Sequence, residues 1–261
     1  MDNVKKLIVK DKITIISQNL QNYPKKNKKE HTQQYISQYK ADVYAFQEYP
    51  IWGRGKTFYT KFELKDDDYD GVVNEIEKIW KKYFPWSEFP SGYFREIIIE
   101  FNGIDIHVIN IHISHYFDLI RFVLLKRLQQ LKNDKVIILG DFNAAFSNQT
   151  DDVNIEGNEF LTMLRDKYKF SEVLGEDETD KNPHYTRGFY NKRKEKWIKS
   201  KLDHIFISQE IAEKRERGEW DIKLTYIDEV NRNLLYITNH EPQNPLSDHS
   251  GMKLIINENR K

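Results

Sequence analysis

Six short segments of this chain place carboxylate, amide or imidazole groups at or beside the end of an apolar, strand-like run. Asn19 closes ITIISQN and Glu48 closes VYAFQE, while Asn110 and His112 lie in HVINIH. Asp141 and Asn143 follow VIILG in GDFN, Asp203 stands in KLDHIFIS, and Asp248 and His249 form the SDH triplet near the C-terminus. Functional side chains gathered at one rim of a layered sheet protein are the pattern of an active site. Glu48, Asp141 and Asp248 are hard oxygen donors, Asn19, Asn110 and Asn143 are amides, His112 and His249 are imidazoles, and there is no Cys. Such a set suits Mg²⁺ or Mn²⁺ and not a thiolate zinc cage. Imidazoles beside that ion can donate hydrogen bonds to a phosphate oxygen whose charge grows in the transition state. Asp203 could orient one of those rings, as a carboxylate fixes the tautomer of a catalytic His. Hydrolysis of a phosphate ester is the task these groups fit.

Strands must carry these groups, and helices must cover the strands. Residues 12–18 cluster β-branched side chains and end at the breaker Tyr23-Pro24, so they read as a strand followed by a loop. Residues 31–39 have the propensity of a short polar helix leading into the buried strand VYAFQE. Val72, Val73, Ile76, Ile79, Trp80 and Tyr83 recur at helical spacing, which predicts an amphipathic helix over 72–83 stopped by Pro85. EIIIEF and IDIHVINIH flank Asn102-Gly103, a strong hairpin signal. An apolar face from Leu119 to Leu131 predicts a helix over 117–131 before the strand KVIILG. A further helix is expected over 155–168, strands over 202–207 and 252–256, and a charged helix or turn over 210–217.

The length and the absence of a Pro/Gly/Ser-rich linker fit one domain spanning 1–261. Lys+Arg and Asp+Glu both number 41, so bulk charge favours no polyanionic partner and only local patches can speak for nucleic acid. Lack of Cys suits a reducing compartment, and Lys or Asp interrupts every apolar run of the N-terminal segment before a signal-peptide core can form. No run is long enough for a membrane span. These features predict a cytoplasmic location.

The order ISQN, AFQE, INIH, GDFN, KLDHIF, SDH closely resembles the endonuclease/exonuclease/phosphatase superfamily, the DNase I-like fold. The resemblance runs from Asn19 to His249, with GDFN and SDH its most specific parts. It implies an α/β four-layer sandwich, two mixed β-sheets packed face to face with helices on the outside, and divalent-metal hydrolysis of phosphodiesters or phosphomonoesters. Carried over by motif, it makes Glu48 the principal metal ligand, with Asn19 and Asp248 near the same ion or its waters. It makes Asp141 the group that orients or deprotonates the attacking water, and Asn143 the group that holds the phosphate or Asp141. His249, oriented by Asp203, would meet the scissile phosphate, His112 would be a second phosphate-binding imidazole, and either Asp141 or His249 could be the general base. Arg95 matches an arginine that can reach the substrate backbone. His115 matches a second His of some members. Two departures stand out: the stretch between Glu48 and Arg95 is short, with KTFYTKFEL (56–64) as the remnant of a strand pair, and the acid that partners the first imidazole in DNase I-like nucleases has no obvious counterpart. The imidazole at His112 disfavours abasic-site repair, because abasic-site endonucleases carry a different residue there.

Each residue also has a structural alternative. Asn19, Asp141 and Asn143 suit turns after strands, and Asp203-His204 could be a surface pair. His31, His107, His184 and His240 take the structural reading. Two basic runs border the expected site: Lys25, Lys26, Lys28 and Lys29 after the Asn19 strand, and Lys192, Arg193, Lys194, Lys196, Lys199 and Lys201 before Asp203. They could form a polyanion-binding rim, with Trp197 and Tyr190 stacking a base. The expectation is a Mg²⁺-dependent nuclease acting on DNA or RNA. The alternatives are a phosphatase or phospholipase-like enzyme acting on a small phosphorylated headgroup such as an inositol phosphate, and a catalytically silent binding module.

Overall fold

The computed structural model describes residues 6–20, 38–47, 58–60, 70–89, 93–113, 117–150, 158–179, 183–191, 195–227 and 249–259. In chain order the strands are β1 (Leu7–Val9), β2 (Lys12–Asn19), β3 (Val43–Gln47), β4 (Phe58–Thr60), β5 (Phe94–Phe101), β6 (Ile104–His112), β7 (Lys135–Asp141), β8 (Ser171–Glu172), β9 (Arg187–Asn191), β10 (Lys196–Ser200), β11 (Asp203–Ile207), β12 (Trp220–Ile227) and β13 (Gly251–Glu258). The helices are α1 (Asp70–Tyr83), α2 (Phe117–Gln130), α3 (Asn158–Asp166) and α4 (Gln209–Glu216). One sheet runs β1-β5-β6-β7-β11-β8, the other β12-β13-β2-β3-β4, and β9 and β10 form a separate hairpin. Both larger sheets are mixed: β6 is parallel to β7 and β2 to β3, while β7 pairs antiparallel with β11 and β13 with β2.

Strand alternation divides the apolar side chains among three layers. Ile13, Ile15, Val43, Ala45, Leu254 and Ile256 of one sheet meet Ile99, Val108, Ile137, Leu139 and Ile205 of the other in the central core. On the outer face of the six-stranded sheet, Ile98, Ile109, Val136, Ile138 and Phe206 pack under Ile76 and Trp80 of α1, Ile120, Val123 and Leu124 of α2, and Leu161 of α3. The outer face of the other sheet buries Ile16, Tyr44 and Phe46 beside Ala41 and Ile227. Helix α2 is also held by charge. Glu96 of β5 accepts two hydrogen bonds from Arg127, each 2.8 Å, and lies 2.7 Å from His107 Nδ1, all three groups being buried. Burial pushes the Glu96 carboxyl up, but Arg127 and His107 outweigh it and hold it below the ordinary range. His107 thus has the structural role expected of it.

The β5–β6 hairpin turns at Asn102 and Gly103, whose φ values of 49° and 77° are the left-handed pair of a type I′ turn. Strand β12 escapes a search for apolar runs because Trp220, Ile222 and Leu224 alternate with Asp221, Lys223 and Thr225. Strand β4 falls within KTFYTKFEL and pairs antiparallel with β3, so that segment does extend the sheet. Of the helix expected at 155–168, residues 155–157 lie outside the described residues, and α3 spans Asn158–Asp166. The one expected at 31–39 lies outside the described residues except for its last two. Among the described residues, no helix is long and apolar enough to cross a membrane.

Candidate active site

The faces that the two sheets turn toward each other change character at one end. Inward side chains run Ile13, Ile15, Ser17, Asn19 along β2 and Val43, Ala45, Gln47 along β3. Along β6 they run Ile106, Val108, Asn110, His112; along β7, Ile137, Leu139, Asp141; and along β11 from its far end, Ile207, Ile205, Asp203. The same two-residue period that builds the core therefore delivers every polar terminus to one rim. Register aligns these ends, with Asn19 opposite Gln47, Arg95 opposite Asn110, and Asp141 opposite both His112 and Asp203.

Hydrogen bonds then join the sheets across the rim. Gln47 Nε2 donates to Asn110 Oδ1 at 2.6 Å, and Asn110 Nδ2 donates to the Phe46 carbonyl at 3.0 Å. Asn19 Nδ2 donates to Asp141 Oδ2 at 2.8 Å. Asn110 is thus a clamp between sheets, and Asn19 holds the central carboxylate from the opposite side.

Asp203 Oδ2 lies 2.7 Å from His249 Nδ1, and both residues are buried. Thr186 fixes the carboxylate's backbone, its Oγ1 accepting from the N–H groups of Leu202 and Asp203 at 2.9 and 3.0 Å. His249 is held by a β-bridge to Arg187 and by Gln18 Nε2, which donates to its carbonyl at 2.9 Å. Asp141 faces this pair, the polar atoms of Asp141, Asp203 and His249 lying within 4.8 Å of one another. Because His249 Nδ1 is committed to Asp203, the trio is better described as an oriented imidazole facing a carboxylate than as a metal-ligand set. Burial pushes the Asp141 carboxyl above the ordinary range; His249 opposes the shift, Asp203 adds to it, and His112 and the Asn143 N–H oppose it without reversing it.

The turn after β7 is set locally. Asp141 Oδ1 accepts the Asn143 N–H at 2.8 Å, an Asx turn, and Asn143 is left-handed with φ 44°. The turn expected of these two residues is therefore present and is also what aims the carboxylate. Gly140 has φ +129°, and a Cβ there would sit 2.0 Å from the Ile111 carbonyl oxygen, so only glycine fits beside β6. His112 Nε2 is 3.9 Å from Asp141 Oδ2, and its ring stacks on Tyr93 with centroids 5.2 Å apart and planes 12° from parallel. An aromatic face thus supports the imidazole for which no acid partner is recognisable in the sequence.

Asn19, Arg95, Asn110, His112, Asp141, Asn143, Asp203 and His249 are brought to this rim. Glu48, Asp248, His115, Lys192, Arg193, Lys194, Lys25, Lys26, Lys28 and Lys29 lie outside the described residues, as does the side chain of Trp197. Two expectations are overturned. Asp203-His204 is no surface pair, since both residues are buried and His204 lies 2.7 Å from Glu172 Oε1 and 2.8 Å from the Ala144 carbonyl. Lys201 is no rim cation: it is 1% exposed, its ammonium held by Glu172 at 2.8 Å and by Glu178. A buried, doubly paired lysine cannot meet a polyanion. Motif reading passes over Thr186 and assigns no role to Gln47 or Gly140, although these stand in AFQE and GDFN.

The donors fit a hard divalent ion. Gln47 Oε1 is buried with no hydrogen-bond partner among the described residues, at the strand end that leads into Glu48. A buried acceptor without a donor is costly unless a cation or an ordered water meets it.

An oriented Asp–His pair, a raised carboxyl and a second imidazole at the rim between two mixed sheets define a phosphoester hydrolase with the DNase I-like fold. A profile of the Endonuclease/Exonuclease/phosphatase family matches residues 16–249, and the chain belongs to that family. The fold is similar to that of the AP endonuclease LMAP from Leishmania major, at 12% identity and a TM-score of 0.60, over 95% of this chain and 89% of that one. It is similar to the endonuclease domain of TRAS1, a telomere-specific non-LTR retrotransposon, at 12% identity and a TM-score of 0.57, over 95% and 99% of the two chains. A 3′ phosphatase, NExo, from Neisseria bound to a product DNA hairpin matches at 13% identity and a TM-score of 0.55, over 93% and 98%. At these identities the likeness is one of fold. Among curated proteins, no sequence match reaches significance.

Proposed function

We propose that this chain is a divalent-metal-dependent nuclease that hydrolyses phosphodiester bonds of DNA or RNA. The observation that carries the polymer substrate is where the basic hairpin is rooted. Strand β9 begins at Arg187, whose backbone bridges His249, and β10 ends at Ser200, paired with Arg187. Lys192, Arg193 and Lys194 fall between these strands in sequence, and Trp197 stands opposite Tyr190 in the hairpin register. A charged hairpin growing from the catalytic histidine suits a ligand with phosphates beyond the scissile one. Similar folds in an endonuclease and in a phosphatase bound to DNA accord with this substrate class.

In this reading Glu48, Asn19 and Asp248 would hold Mg²⁺ or Mn²⁺. Such an ion would supply positive charge against the phosphate oxygens and lower the pKa of the attacking water. Asp141, with its carboxyl held high by burial, orients or deprotonates the attacking water. His249, with Nδ1 taken by Asp203, acts through Nε2 on the scissile phosphate, and Asp203 stabilises the ring when it is charged. His112 and Asn143 steady the phosphate, and Arg95 reaches the flanking backbone.

The test is a metal-supplemented assay on labelled single- and double-stranded DNA, on RNA and on a panel of phosphomonoesters. Cleavage of a nucleic acid that stops in chelator and returns with Mg²⁺ or Mn²⁺ is expected. Undiminished turnover in excess EDTA would refute the mechanism. Release of inorganic phosphate from small monoesters, with no nucleic acid cleaved, would replace the nuclease by a phosphatase.

A further inference from the structure

The turn that follows α1 holds its aromatic side chains in two opposite ways. Phe84 and Phe89 pack on the buried Trp80 ring, with centroids 4.9 and 5.7 Å away, and Trp80 Nε1 donates to the Ser87 carbonyl at 3.0 Å. Between these anchors Trp86 points out and is 80% exposed, its ring edge-on to Phe84 at 6.3 Å. Only one other large apolar side chain among the described residues is exposed, Ile8 of β1. Strand β1 pairs with the 99–101 end of β5, whereas Tyr93, six residues after Ser87, supports His112 at the catalytic end. The turn carrying Trp86 therefore leads into the strand end that meets the active site.

Charge accompanies the indole. Lys82 Nζ lies 5.3 Å from the Tyr83 ring centroid, and Lys126 Nζ of α2 lies 5.5 Å from the same ring and 5.4 Å from Phe122. Lys78 and Lys81 on the same helix are matched by Glu75 and Glu77, but Lys82 and Lys126 have no carboxylate partner among the described residues. Two ammonium groups converging on one tyrosine, without a counter-charge among the described residues, favour an anion between or beside them.

We infer that Trp86, Lys82 and Lys126 form an accessory site for single-stranded nucleic acid, the indole stacking on a base and the two lysines meeting backbone phosphates. This rests on the nuclease reading and adds to it a strand-holding surface away from the chemistry. A flat ring on an anchored turn is the device by which single strands are held without sequence readout, and cations beside it track the backbone. An anionic membrane surface is the competing ligand, but it is best met by several apolar side chains pointing outward. Here Phe84 and Phe89 are turned inward as anchors and one ring is presented.

The experiment compares wild type, Trp86→Ala and the double variant Lys82→Gln/Lys126→Gln on fluorescein-labelled single-stranded DNA and RNA 20-mers and on bis(p-nitrophenyl) phosphate. Binding of the same oligonucleotides is measured in each background with Asp141→Asn added, so that affinity is read without turnover. Trp86→Ala should weaken oligonucleotide binding and raise KM about tenfold, the scale of one stacked base. The double lysine variant should lower the salt slope of log K by about 1.4, two phosphates at roughly 0.7 each. Neither change should alter kcat on the small diester. Cleavage of oligonucleotides by wild type with an unchanged KM in Trp86→Ala would refute this inference alone. Wild type that neither binds nor cleaves any oligonucleotide would refute the nuclease reading together with it. Binding to phosphatidylserine vesicles that depends on Trp86, with oligonucleotide affinity independent of it, would overturn the assignment in favour of a membrane surface.

Discussion

Replacing Gly140 with Ala tests whether the catalytic rim depends on one backbone position in β7. The residue has φ +129°, and an L side chain held in such a region costs on the order of 1–3 kcal/mol. The added Cβ also meets the Ile111 carbonyl oxygen at 2.0 Å. That oxygen belongs to the paired strand β6, opposite Gly140 itself, so no side-chain rotation relieves the overlap. Separating the strands locally adds overpacking of about 1–3 kcal/mol. The sum is roughly 2–6 kcal/mol, which for a chain of this size lowers the melting temperature on the order of 10 °C. Because His112 and Asp141 face each other one residue further on, a displacement near 1 Å at that point should also lower kcat about a hundredfold. Gly218→Ala is the control. Its φ is +66° but nothing lies within 4 Å of a Cβ, so only the backbone strain, about 1–2 kcal/mol, is incurred. Thermal melts followed by circular dichroism, with turnover assayed well below both transitions, separate the two effects. A Gly140→Ala protein that melts no lower than Gly218→Ala would show that the close approach of β6 and β7 is not what requires glycine.

Three further outcomes follow from the same structure. Asp141→Asn and His249→Ala should each lower kcat by about two orders of magnitude or more; Asp141→Asn should keep its melting temperature within a few degrees, since removing a carboxylate that burial disfavours sacrifices little stability, whereas His249→Ala should melt lower because it leaves Asp203 buried without its imidazole; near-normal turnover by either purified variant would overturn the assignment. Arg127→Met should lose on the order of 3–5 kcal/mol in urea unfolding, because it leaves Glu96 charged and buried, and the double variant Arg127→Met/Glu96→Gln should recover part of that loss. Burial pushes the Glu172 carboxyl up, but His204 and Lys201 outweigh it and hold it at about 2, below its ordinary 4.5. A depressed acid stabilises the fold above its unfolded value. Up to about 3 kcal/mol should therefore be present at pH 7 and lost as pH falls from about 5 toward 2, and Glu172→Gln should flatten that part of the urea-unfolding profile.

The elements that could be read in the sequence are those whose pattern is written locally. The hairpin at Asn102-Gly103 follows from two residues that tolerate left-handed backbone, and α2 follows from its apolar spacing. Strand β12 could not be found by looking for apolar runs, because half of its residues face away from the core and are polar. Residue types also pointed to the class of reaction: acids, amides and imidazoles at strand ends, without thiols, favour phosphate ester hydrolysis, in keeping with the family match. What residue types could not convey is partnership across the chain. Asp203 and His249 are 46 positions apart, and Asn19 and Asp141 are separated by 122, so only the packing of one sheet on the other decides that these are the pairs. The same holds for Lys201, whose place in a basic run suggests a solvated rim until β8 and the Glu178 loop enclose it. Local pattern sets which face of a strand is apolar and where it ends, whereas the contacts that orient a catalytic group or bury a charge are made by residues distant in sequence, and those exist only once the sheets have closed.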